Sequence, residues 1–379
     1  MSKKKSASEI ESEFSQRDFH VVQERNDFLL PQILDFVKKE RWINTRPEYQ
    51  RRLVWDNKKK SRLIESLLMN VPVPPIFLFE HDLSRYEVMD GQQRLNAVVE
   101  FYGDELRLSG LEYWKILNGL RYSELPPLLQ RGIDRRRISA TVLLNESGGT
   151  RDRANELRRQ IFDRLNTGGQ KLNQQELRNC LFAGAFNNSL VKLAANSSFN
   201  DMFGIPRYRD NIRKGIPNAK IRENQFYKRM KDVEIVLRFL TFRGPRSKIS
   251  GSVKAMLDKK MIESQQYSSA RIQEDVTAFE ITIDSVWRTL GADAFRFPGP
   301  NGTFGDYSIP LCDAVLVAFD RLGDKRERAV KAKAKVRQAI NRAVLSKSGD
   351  RGLFTGRANT AQSIRDRLAV MEKALLAVI

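Results

Sequence analysis

The sequence predicts an α+β protein, in which a small sheet-and-helix N-terminal domain precedes a mostly α-helical domain. The chain has 379 residues, a length typical of about two domains. All the strand patterns that we assign lie before residue 145, whereas from about residue 185 the apolar residues recur at helical spacing. We therefore predict a flexible basic arm at 1–28, a sheet-and-helix domain at 29–150 and a helical domain with a basic surface at 151–379.

The N-terminal domain is predicted from alternating strand and helix patterns. Residues 76–80 form a short apolar run typical of a buried strand, and residues 85–89 alternate as its hairpin partner. After Gly91 the apolar period becomes helical and continues to a stop at Gly103. Amphipathic helices are predicted at 29–40 and 58–70, and further strands at 105–108 and 138–144.

The C-terminal domain is predicted from helix-period apolar stripes. A helix at 151–165 ends near Gly168 and Gly169, and a capping box at 173–176 begins the next helix. Residues 203–222 predict a basic, aromatic-bearing loop. Further helices are predicted at 185–195, 224–243, 249–266, 269–290, 308–322, 324–347 and 360–378.

The segment Asp90-Gly91-Gln92-Gln93-Arg94 lies on the predicted turn from strand to helix. Backbone N–H groups at a helix start attract anions, and glycine allows a close approach of a phosphate to the backbone. Arg94 is suited to two parallel hydrogen bonds with phosphate oxygens. Asp90 is suited to holding a metal ion or orienting a water, and the glutamines to positioning a water or a base edge.

An ordinary structural role accounts for the same turn. In that interpretation Asp90 caps the helix, Gly91 makes the turn and Arg94 is a solvated surface residue. Asp-Gly turns are common, so the local pattern leaves both interpretations open.

The charge of the chain indicates a polyanionic partner. Lys and Arg number 66 against 46 Asp and Glu, a formal net charge of +20. An excess of this size favours nucleic acid over a nucleotide or a membrane surface, and solubility alone is the alternative. The predicted DNA contacts lie in the cationic run Arg135, Arg136 and Arg137 and in the basic loop, at Arg207, Arg209 and Lys214.

Cysteine and histidine usage excludes several classes of site. Two distant cysteines form no CxxC pair, which excludes a disulfide scaffold and a cysteine zinc site and fits a reducing cytoplasm. Two histidines, His20 and His81, lack the neighbours of an HNH nuclease, a HExxH zinc site or a histidine triad. No apolar run of about 18 residues predicts a membrane span, and the N-terminus lacks an apolar signal core. We expect a cytoplasmic protein without a membrane partner.

Two further segments place cations near polar or aromatic groups. Arg51 and Arg52 precede Trp55, a pattern suited to phosphate or base contact, or to an ion pair beside a core tryptophan. At the helix–glycine–helix elbow, Arg164, Asn166, Arg178 and Asn179 either face the same anion as Arg94 or belong to a well-capped helical corner.

Five motifs, in this order, resemble the GmrSD-type restriction endonuclease N-terminal domain, the DGQQR group of the ParB/sulfiredoxin-like superfamily. Together they span roughly residues 40–240, and any one of them alone would be weak. They are QRRLVW (50–55), SRLIESLLMNVPVPPIFLFE (61–80), EVMDGQQRLNAVVEF (87–101), IFDRLNTGGQKLNQQELRN (161–179) and KDVEIVLRFL (231–240).

The resemblance implies a ParB-like fold and nucleoside triphosphate binding and hydrolysis at Asp90–Arg94. Arg51, Arg52, Arg164 and Asn166 would complete the nucleotide pocket by analogy with ParB. Members of the family act in defence against phage or foreign DNA. Those that cut DNA carry or pair with an HNH-type nuclease region, and no such region follows residue 240 here.

We therefore predict a nucleotide-hydrolysing, DNA-binding sensor or regulatory subunit of an anti-phage or restriction system. A nuclease partner would act in trans, and a homo-oligomer is a further expectation. Asp90 would place Mg²⁺ or water, Gln93 would orient the attacking water, and Arg94 with Gly91 and Gln92 would bind phosphate. The alternatives are a non-enzymatic module whose turn binds DNA phosphate and, less favoured, a nuclease in its own right.

Overall fold

The computed structural model describes residues 6, 23–44, 55–144, 173–182, 184–213, 216–299, 303–346, 351–355 and 359–379. The chain divides into two compact units, Met1–Lys171 and Leu172–Ile379. Each unit contains a buried apolar cluster of its own. The domain boundary predicted near residue 150 and the helix predicted at 151–165 lie outside the described residues.

A mixed five-stranded sheet organises the first unit. Its strand order is β1–β5–β3–β4–β2. The β3–β4 hairpin and the β1–β5 pair are antiparallel, and β3–β5 and β2–β4 are parallel. The strands are β1 (Gln23–Leu29), β2 (Ile43–Asn44), β3 (Ile76–Asp82), β4 (Arg85–Asp90) and β5 (Arg137–Leu143).

Within the described part of the first unit, four α-helices accompany this sheet. They are α1 (Leu30–Leu34, extended by a π-helical turn at Asp35–Lys39), α2 (Asn57–Leu68), α3 (Gln92–Tyr102) and α4 (Pro127–Asp134). The Asp56 side chain caps α2 by accepting a hydrogen bond from the Lys59 N–H at 2.8 Å. Leu95 and Val98 of α3 and Ile64 of α2 are buried in the apolar cluster, as their helical spacing predicts.

The predicted hairpin and its helix are confirmed, but two predictions in this unit are wrong. Residues 23–28 were assigned to the arm and instead form most of β1, an edge strand whose charged residues suit that position. Residues 105–108 form no strand. Leu108 forms backbone hydrogen bonds with Gly119 and Leu120 in a loop, and no strand ladder forms here. Because Leu106 and Leu108 are both buried, the sequence alternates as a strand would.

The second unit is mostly helical. The predicted capping box is present, because Asn173 accepts from the Glu176 N–H and the Glu176 carboxylate accepts from the Asn173 N–H. The helices are α5 (Gln174–Leu181), α6 (Ala185–Leu193), α7 (Ser197–Met202), α8 (Tyr208–Asn211), α9 (Ala219–Glu223), α10 (Gln225–Lys228), α11 (Lys231–Phe242), α12 (Val253–Ser264), α13 (Ser269–Leu290), α14 (Ile309–Arg321), α15 (Arg326–Lys331), α16 (Lys333–Leu345), α17 (Arg351–Phe354) and α18 (Ala361–Leu376).

Residues 203–222 differ from the loop predicted for them. They contain α8, the short antiparallel pair β6 (Ile212–Arg213) and β7 (Ile216–Pro217), and most of α9. Tyr208 and Ile221 are buried in the core of the unit. A second short pair joins β8 (Arg296–Pro298) to β9 (Phe304–Tyr307).

The α+β class is confirmed: a small mixed sheet precedes a mostly helical part. Across the described ranges, none of the helices combines the length and apolarity that crossing a bilayer requires.

Candidate anion-binding turn

The candidate site is the junction between β4 and α3. Strand β4 ends at Asp90, and Gly91 turns the chain with φ +94° before α3 begins at Gln92. The Leu95 N–H donates to the Gly91 carbonyl at 2.9 Å, which closes the first helical turn. A Cβ atom at Gly91 would lie 2.5 Å from Ile76 Cγ2. Both the left-handed conformation and the packing against β3 therefore require glycine.

Arg94 is held in place by two acceptors. Its Nη2 donates to Asp90 Oδ2 at 2.9 Å and to the Pro75 carbonyl at 3.1 Å. The Arg94 side chain is 15% exposed, whereas that of Asp90 is 59% exposed. Arg94 is therefore not the solvated surface residue that the structural interpretation expects.

Two buried donors at this turn have no hydrogen-bond partner among the residues that the structure describes. They are Gln93 Nε2 and Arg94 Nε, on consecutive residues of the first helical turn. Gln93 Oε1 accepts from the Trp55 N–H at 3.2 Å. This bond fixes the orientation of the side-chain amide, so that its NH₂ group does not point at Trp55. A buried unsatisfied donor costs about 1–3 kcal/mol, so this pair calls for an explanation.

Asp90 can supply a single carboxylate to a metal ion. Its Oδ2 is engaged with Arg94, which leaves Oδ1 on an exposed side chain. Among the described residues, no group of three or more His, Cys, Asp or Glu side chains is arranged to hold a metal ion. Mg²⁺ is commonly bound by one or two carboxylates together with substrate phosphates, and Asp90 fits that arrangement.

A cleft of about 580 Å³ lies on the same unit and adjoins α3. Asn96 lines it and donates from Nδ2 to the Gln92 carbonyl at 3.0 Å, so the cleft and the turn share the first turns of one helix. Trp42 and Tyr86 supply aromatic lining, and Arg41 supplies a cation. Sequence reasoning missed this cleft, because its residues come from four separate segments.

The predicted cationic run after α4 is only partly exposed. Arg135 and Arg137 are exposed. The Arg136 guanidinium instead donates to the Leu68 carbonyl at 3.2 Å, and its own carbonyl accepts from the Leu30 N–H at 3.0 Å. Arg136 therefore ties β5 to its neighbours and is half-buried, and its contact with DNA stays a prediction.

The predicted basic loop of the second unit contains paired arginines. Arg207 forms two hydrogen bonds with the Asp201 carboxylate, at 2.8 and 2.5 Å, and these bonds raise the pKa of its guanidinium. Arg209 is exposed, with its Nε 3.3 Å from Asp210 Oδ1. Arg209 is thus the more accessible of the two predicted contacts.

Several predicted site residues fall elsewhere. Arg178 donates to Asp258 Oδ1 at 2.7 Å inside the second unit, and Asn179 accepts from Asn187 at 2.9 Å, which agrees with the helical-corner interpretation of these two residues. The predicted site residues outside the described ranges are Arg51, Arg52, Arg164, Asn166 and Lys214.

Comparison with known proteins bears on this turn. Residues 32–183 match the model of the GmrSD restriction endonuclease N-terminal domain. This segment is thus similar to GmrSD-type N-terminal domains. The match covers the sheet from β2 to β5, the turn at 90–94 and α5. No curated protein and no solved structure matches the chain, so the likeness to ParB stays a prediction. The GmrSD domain points to a restriction or anti-phage defence context.

Proposed function

We propose that this protein is a nucleotide-hydrolysing, DNA-binding sensor subunit of a restriction or anti-phage defence system, acting with a nuclease partner in trans. One observation carries the nucleotide part of the proposal. Two buried donors on consecutive residues, Gln93 Nε2 and Arg94 Nε, have no partner within the described residues and lie at a helix start. A phosphate would satisfy both donors, and the helix dipole favours a negative charge there.

The pair between Asp90 and Arg94 would preorganise this site. Because Nη2 is held by Asp90 and Pro75, the guanidinium keeps one orientation before a ligand arrives. Its remaining donors would then meet phosphate oxygens without first losing side-chain freedom. Gly91 carries no capping side chain, so nothing from that residue blocks the helix start.

Gln93 would position the attacking water, and Asp90 would bind the ion that neutralises the phosphate charge. Since Gln93 Oε1 is engaged with the Trp55 N–H, Gln93 would act through Nε2, holding the attacking water or a phosphate oxygen. Asp90 Oδ1 would provide a protein ligand to Mg²⁺. The ion, bound with the nucleotide, would neutralise charge on the phosphate oxygens.

The neighbouring cleft would take the nucleoside. Its volume of about 580 Å³ lies in the range of small-molecule sites, and one of its lining residues, Asn96, donates to the Gln92 carbonyl of the turn. Trp42 offers an aromatic face of the kind on which bases stack. Nucleotide binding and hydrolysis would then shift the balance between conformers that differ in binding DNA or the nuclease. Such a shift requires that the conformers differ in their affinity for the nucleotide.

Phosphate release from ATP, GTP and CTP, measured with and without DNA, tests the proposal. Asp90→Ala and Arg94→Ala should each abolish release while leaving the folded state intact. The matched control is Asp284→Ala, because Asp284 also precedes an arginine by four residues and is 61% exposed, against 59% for Asp90. Release that survives both turn substitutions would overturn the assignment of the site.

A non-enzymatic DNA-binding module is the second candidate. The exposed Arg135 and Arg137 and the formal charge of +20 favour it. In that case the wild-type chain would neither bind nor hydrolyse nucleotide, and Arg94→Ala would weaken DNA binding. Binding to DNA that is unaffected by Arg94→Ala would exclude this version.

A further inference from the structure

The loop of residues 109–118 exposes three large apolar side chains. Tyr113 is 76% exposed and Ile116 is 85% exposed, and Trp114 beside them is also exposed. Large apolar side chains seldom gather on a solvated surface without a partner, whereas single ones are common. We call residues 109–118 the aromatic loop.

A buried carboxylate fixes the backbone of the aromatic loop. The Glu65 side chain of α2 accepts hydrogen bonds from the N–H groups of Glu112, Tyr113 and Trp114, at 3.2, 2.8 and 2.8 Å. Burial alone would raise the pKa of the Glu65 carboxyl, but these three donors lower it below its usual value. The aromatic side chains are therefore presented by an ordered segment.

Both ends of the aromatic loop are also fixed. The Ser109 N–H donates to Ser61 Oγ at 2.9 Å, and the Leu111 N–H donates to Asn118 Oδ1 at 3.1 Å. Leu111 and Leu117 are buried in the apolar cluster. Since the loop's own leucines supply the core, the exposed residues Tyr113 and Ile116 are not needed for it.

Cations flank the exposed rings. Lys58 of α2 packs beside Gly110, with its side chain about 3 Å from where a Cβ would lie, and Lys115 is exposed within the loop. Arg62 pairs with Glu112 at 2.5 Å, which neutralises the loop's carboxylate. The patch thus combines aromatic faces with a local excess of positive charge.

We propose that the aromatic loop binds unpaired nucleotides of nucleic acid, with bases stacking on Tyr113 and Trp114 and phosphates near Lys58 and Lys115. Aromatic faces beside cations are the combination that single-stranded nucleic acid recognises. A hydrophobic protein partner would use the apolar area but would gain nothing from the lysines. The proposal concerns a surface separate from the turn at Asp90–Arg94 and does not depend on nucleotide hydrolysis.

The test is fluorescence anisotropy of a labelled single-stranded oligonucleotide and of its duplex, titrated with the full chain at two salt concentrations. Tyr113→Leu keeps an apolar side chain but removes the ring, and should weaken single-strand binding about 5- to 100-fold. Tyr113→Phe keeps the ring and should stay within about twofold of wild type. Leu83→Ala, an exposed apolar residue in the β3–β4 turn, is the matched control.

Three outcomes would overturn the proposal. If wild type and Tyr113→Leu bound the oligonucleotide equally, the aromatic loop would be excluded as the binding site. DNA binding by other surfaces would be unaffected by that result. Loss on Tyr113→Phe equal to that on Tyr113→Leu would exclude stacking as the cause. A wild-type chain that binds neither oligonucleotide would refute this proposal together with the DNA-binding part of the proposed function. Phosphate release by the same samples reports on the turn independently.

Discussion

Replacing Gly91 by alanine tests the geometry of the turn directly. Gly91 has φ +94°, and an added Cβ would lie 2.5 Å from Ile76 Cγ2 and 3.0 Å from Ile76 Cβ. The left-handed conformation costs a residue with a Cβ about 1–2 kcal/mol. Overpacking against the buried Ile76 adds about 1–3 kcal/mol. Gly91→Ala should therefore lower the free energy of unfolding by about 2–5 kcal/mol.

Two other glycines of the same unit separate these effects. Gly119 has φ +91° with no described atom within 4 Å of an added Cβ, so Gly119→Ala should cost only the conformational part, about 1–2 kcal/mol. Gly132 lies inside α4 with equally open space, and Gly132→Ala should stabilise the protein by about 0.5–1 kcal/mol.

Urea unfolding of the three variants measures these differences, with the midpoints compared at constant slope. The expected order of stability is Gly132→Ala, wild type, Gly119→Ala and Gly91→Ala. If Gly91→Ala were no less stable than Gly119→Ala, the close contact with Ile76 would not limit the turn, and the reasoning would be refuted.

Three further predictions concern buried polar groups. Glu65→Gln should destabilise the protein by about 1–3 kcal/mol. Because the pKa of Glu65 is lowered in the folded state, its stabilising contribution is present above the usual carboxyl pKa and is lost as pH falls. The stability difference between Glu65→Gln and wild type in urea unfolding should therefore shrink in acid. Arg238→Ala leaves the Asp313 carboxylate buried without its two hydrogen bonds, and should cost about 3–5 kcal/mol in the same assay. Burial and the Asp134 carboxylate raise the pKa of Tyr122 to about 12, so stability should fall as pH rises above the ordinary tyrosine value, and Asp134→Asn should flatten that fall.

The strongest sequence predictions were those in which local pattern and tertiary packing agree. The alternation of 85–89 predicts a strand with one buried face, and the helical period after Gly91 predicts a helix with one buried face. Both elements contribute residues to the apolar cluster around the sheet. The capping box at Asn173 and Glu176 is a local hydrogen-bond pattern, so the sequence was sufficient for it.

The failures have a common physical cause: partners distant in sequence. Strand β1 is polar because it lies at the sheet edge, and only its pairing with β5 identifies it. Arg136 reads as part of a cationic run, but the Leu68 carbonyl that it contacts lies 68 positions earlier. Likewise Glu65 gives no signal in the sequence of its role in fixing the aromatic loop.

The plain structural interpretation of the turn differs from the structure at Arg94, whose side chain is only 15% exposed. In that interpretation Arg94 would be hydrated at the surface. Instead the side chains of Gln93 and Arg94 are both largely buried, and each keeps one donor without a partner among the described residues. Two such donors cost about 2–6 kcal/mol together, because each forgoes its hydration. Under the proposed function, a phosphate at the helix start would satisfy both donors.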